Sequence, residues 1–207
     1  MAQIEGETKV RILTAALEVF AETGFSGAST REIARRANVH QPALAYHFRA
    51  KEDLWKAAID HVFEGFQAIL DGPCDRQASR EDRIRAFITM LFQYVAQHPA
   101  WFAFIIHEGR TVEERSKYMV ERWLLPQARA MLRILAGLDW PRDEAGIRFA
   151  QSVLAIVTGA TSIFAQRESI LQLSRLDVRS PSFVQYHADV VTRLITAEIL
   201  NLADSQH

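Results

Sequence analysis

The side chains of this chain that could do chemistry crowd into one stretch, TREIARRANVHQPALAYHFRAKEDL, from Thr30 to Leu54. Across residues 31–51, Arg31, Arg35, Arg36, Arg49 and Lys51 face a single acid, Glu32, a net of +4. The whole chain has 24 Lys and Arg against 25 Asp and Glu, a net of −1, so this positive charge is a local feature. Guanidinium and ammonium groups at that density suit phosphate oxygens. Gln41 carries an amide able to pair bidentately with an adenine edge, and Pro42 or Ala43 can touch a thymine methyl. Tyr46, His47 and His40 lie among the cations. Singly, Arg35, Arg36 and Arg49 read as a solvated basic face. Charge, outward polar groups and a tight turn together read as a nucleic-acid surface.

Other chemistries find little support. There is no nucleophile–base pair, no Gly-rich phosphate loop and no metal-ligand spacing, so neither an enzyme nor a cofactor is expected. His107-Glu108 resembles half of a zinc-protease helix, but Thr111 stands where the second histidine belongs. His61, His98, His107 and His187 are scattered. The single cysteine, Cys74, sits in a DGPCD turn; it excludes an internal disulfide and fits a reducing cytosol. A redox role for it would need exposure and a stabilised thiolate, with only Arg76 basic nearby. The N-terminus MAQIEGETKV lacks a signal-peptide pattern. Residues 86–107 are interrupted by His98-Pro99, and 149–166 carry Gln151, Ser152, Thr158, Thr161, Ser162 and Gln166, so neither is a continuous membrane span. A cytoplasmic protein without membrane contact is expected.

These residues need elements to position them. Nine glycines, six prolines and no alternating β-branched run predict an all-α chain. Val10, Leu13, Leu17 and Phe20 set a first helix over about 7–22, capped near Gly24. Ser29-Thr30-Arg31-Glu32 reads as a capping box, with Ser29 accepting from the Glu32 amide and the Glu32 carboxylate reaching back. Asn38 can take the left-handed conformation that ends this short second helix. A third helix starts at Gln41-Pro42, where proline is tolerated, and stops near Phe48. Ile33, Ala34, Ala37, Val39, Leu44 and Phe48 would form the small core. Two short helices joined by a tight turn are the outline of a helix-turn-helix. Further helices are expected over 51–70, 79–97, 100–136, 142–168 and 182–203, with Pro99 and Pro126 marking breaks.

Residues 8–56 resemble the DNA-binding domain of the tetracycline-repressor (TetR) family, whose pattern approximates T-x-x-x-I-A-x-x-A-G-V-x-x-x-x-L-Y-x-H-F-x-x-K-x-x-L. Ile33-Ala34, Ala37, Val39, Leu44, His47-Phe48, Lys51 and Leu54 fit it, Thr30 and Tyr46 each stand one place after the pattern's threonine and tyrosine, and ALEVFAETGFSGAST matches the family's first helix and loop. Asn38 replaces the usual glycine, and His40-Gln41-Pro42 departs from the commoner start of the reading helix. The resemblance implies phosphate contacts from Thr30, Arg31, Tyr46, His47 and Lys51, and base contacts from Gln41, Pro42, Ala43 and His40.

It also implies a helix-turn-helix domain over 1–50 and a larger helical effector-binding and dimerisation domain over 51–207, about nine helices being expected. A single helix-turn-helix buries too little surface for strong specific binding, so a homodimer on a palindromic operator in double-stranded DNA is expected. Its interface falls on the last two helices: Val153, Ile156, Val157, Ala160, Phe183, Tyr186, Val190, Val191 and Leu194. Aromatic side chains in the middle of the chain suggest a small-molecule effector pocket of Phe66, Tyr94, Trp101, Phe104, His107, Trp123 and Phe149, although aromatics at such spacing also serve as plain core. The function expected is sequence-specific transcriptional regulation, most simply a repressor released by an effector. An activator, or a helical interaction protein whose basic hairpin binds a protein or an anionic surface, is the alternative.

Overall fold

The structure is a computed structural model; it describes residues 2–72, 77–108 and 114–204. Cys74 and Thr111 lie outside the described residues. In chain order the helices are α1 (Ala2–Gly27), α2 (Thr30–Arg36), α3 (Gln41–His47), α4 (Lys51–Leu70), α5 (Arg80–Gln97), α6 (Pro99–Glu108), α7 (Glu114–Met119), α8 (Leu125–Ala136), α9 (Glu144–Ala165), α10 (Arg167–Ser174) and α11 (Pro181–Asp204). No strand occurs among the described residues, and the all-α class follows. His98-Pro99 parts α5 from α6 as expected, whereas the span expected over 100–136 holds α6, α7 and α8, and Gln166 parts α9 from α10.

The chain divides into two compact units, residues 1–65 with 100–119, and residues 66–99 with 120–207. In the first unit, Ile12, Ala16, Val19 and Phe20 of α1 are buried, as are Ile33 and Ala34 of α2, Leu44 of α3, and Leu54 and Trp55 of α4. α1 packs on α2, and α2 on α3. Ala37 and Phe48 are also buried, and Val39 is half-buried. Each large apolar side chain so removed from water contributes roughly 1.5–3 kcal/mol before entropy is counted. Farther along the same unit, the Trp55 ring lies 5.9 Å from Phe104, Phe63 lies 5.9 Å from Trp101, and the Tyr118 hydroxyl donates to the Asp60 carboxylate at 2.9 Å.

α1 runs farther than the expected 7–22 and is broken at Gly24, whose φ of 67° and ψ of 174° lie in a region open only to glycine. A Cβ on Gly24 would stand 2.3 Å from Cε1 of His107 in α6, so close approach as well as backbone angle excludes a side chain here.

In the second unit α5 packs on α11, α8 and α9, and α9 on α11. Phe92 of α5 meets Phe164 of α9 at 5.4 Å and His187 of α11 at 4.9 Å, and the His187 Nε2 is 2.9 Å from the Ala160 carbonyl. Arg85 of α5 pairs with Asp189 of α11. Residues Val120–Leu124 form a π-helical turn ahead of α8. Pro126 follows at once, and the missing proline N–H explains why the ladder widens there. By length and composition α9 is apolar enough to cross a membrane, with 33% of that span buried; in this unit it pairs with α5 and α11.

Candidate nucleic-acid interface

The geometry of the interface begins with the turn between α2 and α3. α2 ends at Ala37, whose N–H bonds Ile33 O at 2.9 Å; Asn38 then adopts φ 53°, and Val39 N–H bonds Ala34 O at 3.0 Å. Asn38 therefore fills the place the family pattern assigns to glycine. α3 opens at Gln41-Pro42, with His40 as its N-cap residue making no side-chain cap bond. Leu44 and Phe48 hold α3 down by burial. What remains outward is His40, Gln41, Pro42, Ala45 and Tyr46, the last 76% exposed, while Ala43 and His47 are half-buried. The Tyr46 and His47 rings meet edge-on at 5.4 Å.

The α2 cap differs from the expectation. Ser29 Oγ accepts from the Arg31 amide at 3.3 Å, not from Glu32. The Glu32 carboxylate does not reach back; it accepts from Arg35 at 2.7 and 2.8 Å and from Arg36 at 2.8 Å. Two guanidiniums three and four residues on outcompete one backbone N–H for a carboxylate. Arg36 also forks onto Glu22 of α1 at 2.6 and 2.7 Å. Hydrogen bonds from Arg35 and then Arg36 hold Glu32 down to about 2; the bond from Arg36 lowers Glu22 as well. The +4 already counts Glu32, so Glu22 lowers it by one charge, and Arg36 acts as a brace between α1 and α2. Arg31 and Arg49 are exposed and carry no ion pair among the described residues.

Lys51 is placed differently from a purely phosphate-facing lysine. Its Nζ donates to Phe25 O at 2.8 Å and Ala28 O at 3.0 Å, and it stands 4.6 Å from the Phe25 ring centroid. Those bonds satisfy carbonyls where α1 ends, leaving one N–H of three for a phosphate. Arg115 of α7 covers the same ring at 4.0 Å. Sequence reasoning missed Glu22, Phe25 and Arg115, because nothing in local spacing pairs residues so far apart along the chain. Thr30 and Gln41 are brought together: Gln41 Nε2 donates to Thr30 Oγ1 at 3.3 Å.

The seven residues expected to line an effector pocket separate. Trp101, Phe104 and His107 fall in the first unit, and Phe66, Tyr94, Trp123 and Phe149 in the second. Trp101, Phe104, Phe66, Trp123 and Phe149 are buried among neighbouring side chains, while His107 is exposed. Burial pushes Tyr94 up to about 12. A cavity of about 90 Å³ in the second unit is lined by none of the seven; Ile69, Leu70, Ala86, Phe87, Met90 and Ile134 form its apolar wall, with Asp82 and Arg83 beside them. Of the interface residues, Val153, Val157 and Val191 are buried within the single chain at 0%, 5% and 2% exposure. In the single chain these three face its own core. Tyr186 and Leu194 are exposed, and Ile156, Ala160, Phe183 and Val190 half-buried.

A short helix-turn-helix with an outward polar reading face defines a DNA-binding regulator. Residues 12–58 match the family of bacterial regulatory proteins, tetR family. The HTH-type transcriptional repressor NicS of Pseudomonas putida is 28% identical over 113 residues, 52% of this chain and 53% of the relative, so this match spans about half of each. Two solved structures share the fold: a TetR-like transcriptional regulator from Rhodococcus sp. RHA1, with TM-score 0.68, 17% identity and coverage of 91% and 93% of the two chains, and the transcriptional regulator FadR of Bacillus subtilis in complex with stearoyl-CoA, with TM-score 0.66, 16% identity and coverage of 90% and 96%. Residues 12–58 are thus a tetR-family regulatory segment, carried in a chain that shares the fold of those two regulators.

Proposed function

We propose that this regulator is a homodimeric repressor: two α3 helices read a palindromic operator, and a small apolar or aromatic ligand in the second unit releases them. The observation that carries the reading is α3 itself, whose buried Leu44 anchors a helix that presents Gln41, Pro42 and Tyr46 to solvent. Thr30, Arg31, His47 and the remaining N–H of Lys51 would take phosphates; Gln41, Pro42, Ala43 and His40 would face bases. No enzymatic step is invoked. NicS is a repressor by name, and FadR holds stearoyl-CoA in its structure; these support the repressor sign and an apolar effector.

The effector would enter the second unit. The cavity of about 90 Å³ beside Phe87, Met90 and Ile134 is far below the roughly 300–1,000 Å³ of a ligand pocket, so an effector entering there would have to widen it. A ligand shifts the equilibrium only by its differential affinity, and a coupling of about 1–3 kcal/mol relieves repression roughly 5- to 150-fold. α4 is continuous from one unit into the other and would carry that coupling.

The test is fluorescence anisotropy with duplex DNA from upstream of the protein's own gene, a scrambled duplex and the Tyr46→Ala variant, at about 150 mM salt because affinity depends on it. Tight, sequence-preferring binding that the variant loses supports the reading. Equal weak binding to both duplexes, with a shallow salt slope, favours a basic hairpin serving a protein partner.

A further inference from the structure

We infer that Thr30 is a specificity-determining positioning residue: its hydroxyl locks the Gln41 amide into the one orientation that reads adenine and rejects guanine. The inference rests on the DNA-reading function proposed above. Thr30 is the first residue of α2 and Gln41 the first residue of α3, so the turn brings two helix N-termini side by side. Across that gap Gln41 Nε2 donates to Thr30 Oγ1 at 3.3 Å. Neither residue is buried, and no other side-chain hydrogen bond involves either of them among the described residues.

The consequence follows from counting donors and acceptors. A glutamine amide has two N–H donors and one carbonyl acceptor, and a hydroxyl has one donor and two lone pairs. With one N–H given to Thr30, Gln41 retains one N–H and its Oε1. That pair matches adenine in the major groove, which offers N7 as acceptor and N6–H₂ as donor. Guanine offers two acceptors, N7 and O6. A free glutamine could turn its NH₂ toward both, but the locked one has a single donor left and sets its Oε1 against O6. Accepting from Gln41 leaves the Thr30 O–H to donate to a phosphate, and that donation completes the lock, because a free O–H could instead donate to a flipped Gln41 Oε1. Docking through the Thr30 proton and selection through its lone pair are therefore coupled on DNA.

The experiment is selection from a randomised duplex library, read by sequencing, with the full-length chain and the variants Gln41→Ala, Thr30→Val and Thr30→Ser. Folding of each is checked by circular dichroism. The wild-type motif should hold an adenine in each half-site that Gln41→Ala no longer selects. At that position the wild type should prefer A over G on the order of 5- to 150-fold, the range of one bidentate contact. Thr30→Val should bring that preference down to about twofold, with other positions unchanged in rank, because one donor is released to guanine. Thr30→Ser should restore it. If Thr30→Val keeps the full adenine preference and loses affinity evenly across sequences, Thr30 is a phosphate contact only and the lock is overturned. The lock is equally overturned if Thr30→Val flattens every position alike, or if the base governed by Gln41 is not adenine. A wild-type chain that selects no motif overturns the DNA-reading function itself, an outcome distinct from failure of the lock.

Discussion

Glu32 shows how single residues set the charge that DNA meets. It is the one acid among five cations, and it accepts from both Arg35 and Arg36. Those bonds hold it down to about 2, below its ordinary value of 4.5. A folded-state value below the unfolded one contributes stability that is present above the ordinary carboxylate range and lost as pH falls toward about 2. The wild type should therefore melt above Glu32→Gln at pH 7, and the gap should close as pH drops from about 4.5 toward 2. Thermal melts at low ionic strength check this, since exposed pairs are screened by salt; a gap constant with pH would refute it. Glu32→Gln should also release Arg35 toward a phosphate, Arg36 staying forked on Glu22, and steepen the salt dependence of DNA binding by about one unit of log–log slope, at roughly 0.9 per phosphate. Lys51 is placed the opposite way, its ammonium being held by Phe25 O and Ala28 O. Lys51→Met should cost about 1.5–3 kcal/mol of stability, the range for hydrogen bonds to a charged group, besides weakening DNA binding. Urea denaturation measures the first effect and anisotropy the second. Loss of affinity at unchanged stability would show that the lysine acts on DNA alone.

Elements add constraints that no single side chain carries. α1 turns at Gly24 because only glycine accepts φ 67° with ψ 174°, and because His107 of α6 fills the space a Cβ would need. Gly24→Ala should destabilise by about 1–3 kcal/mol from backbone strain alone, with the clash against His107 added. Adding His107→Ala should recover the clash and leave the strain. Urea denaturation of the two variants separates them, and full recovery in the double variant would show the backbone angle to be tolerable. The sequence already carried the helical period of α1 to α4, the Asn38 stop and the α4 limits Lys51–Leu70, since caps, prolines and apolar spacing are local signals. It could not carry the meeting of His107 with Gly24, or of Arg36 with Glu22, because these depend on how helices distant along the chain come to lie. The same limit applies to the aromatic pocket: aromatics at helical spacing announce burial, and whether they surround a void or one another is decided by packing between helices. α11 shows a finer case. Its apolar residues form two stripes, with Val184, Ala188, Val191, Ile195 and Ile199 buried and Phe183, Tyr186, Val190 and Leu194 turned farther outward. An offset of one residue, about 100° around the helix, separates core from surface.

That second stripe bears on the whole molecule, because the homodimer proposed above needs a surface on which two copies meet. One helix-turn-helix contacts a few base pairs, and the specific affinity of such regulators comes from two reading helices set about 34–36 Å apart, or a multiple of that. A stable pairing buries on the order of 1,200–2,000 Å² in total, more than loosely touching surfaces supply. α11 offers an apolar face of this kind, with Tyr186 at 67% and Leu194 at 52% exposure in the single chain, and α9 packs beside it. If that face is where copies meet, Leu194→Asp should leave the fold intact, since the side chain already faces water, and should yield a monomer in sedimentation velocity at micromolar concentration. Operator affinity should fall by at least about tenfold, more than roughly 1.4 kcal/mol, with nonspecific binding to scrambled DNA little changed, because the phosphate-facing groups of each reading domain are untouched. Val191→Asp is the control: one helical position away from Val190 but 2% exposed, it should unfold the second unit by burying an unpaired charge. A Leu194→Asp protein that still sediments as a dimer and binds the operator normally would move the interface off α11, and the reading helices would have to be paired by another surface of the same chain.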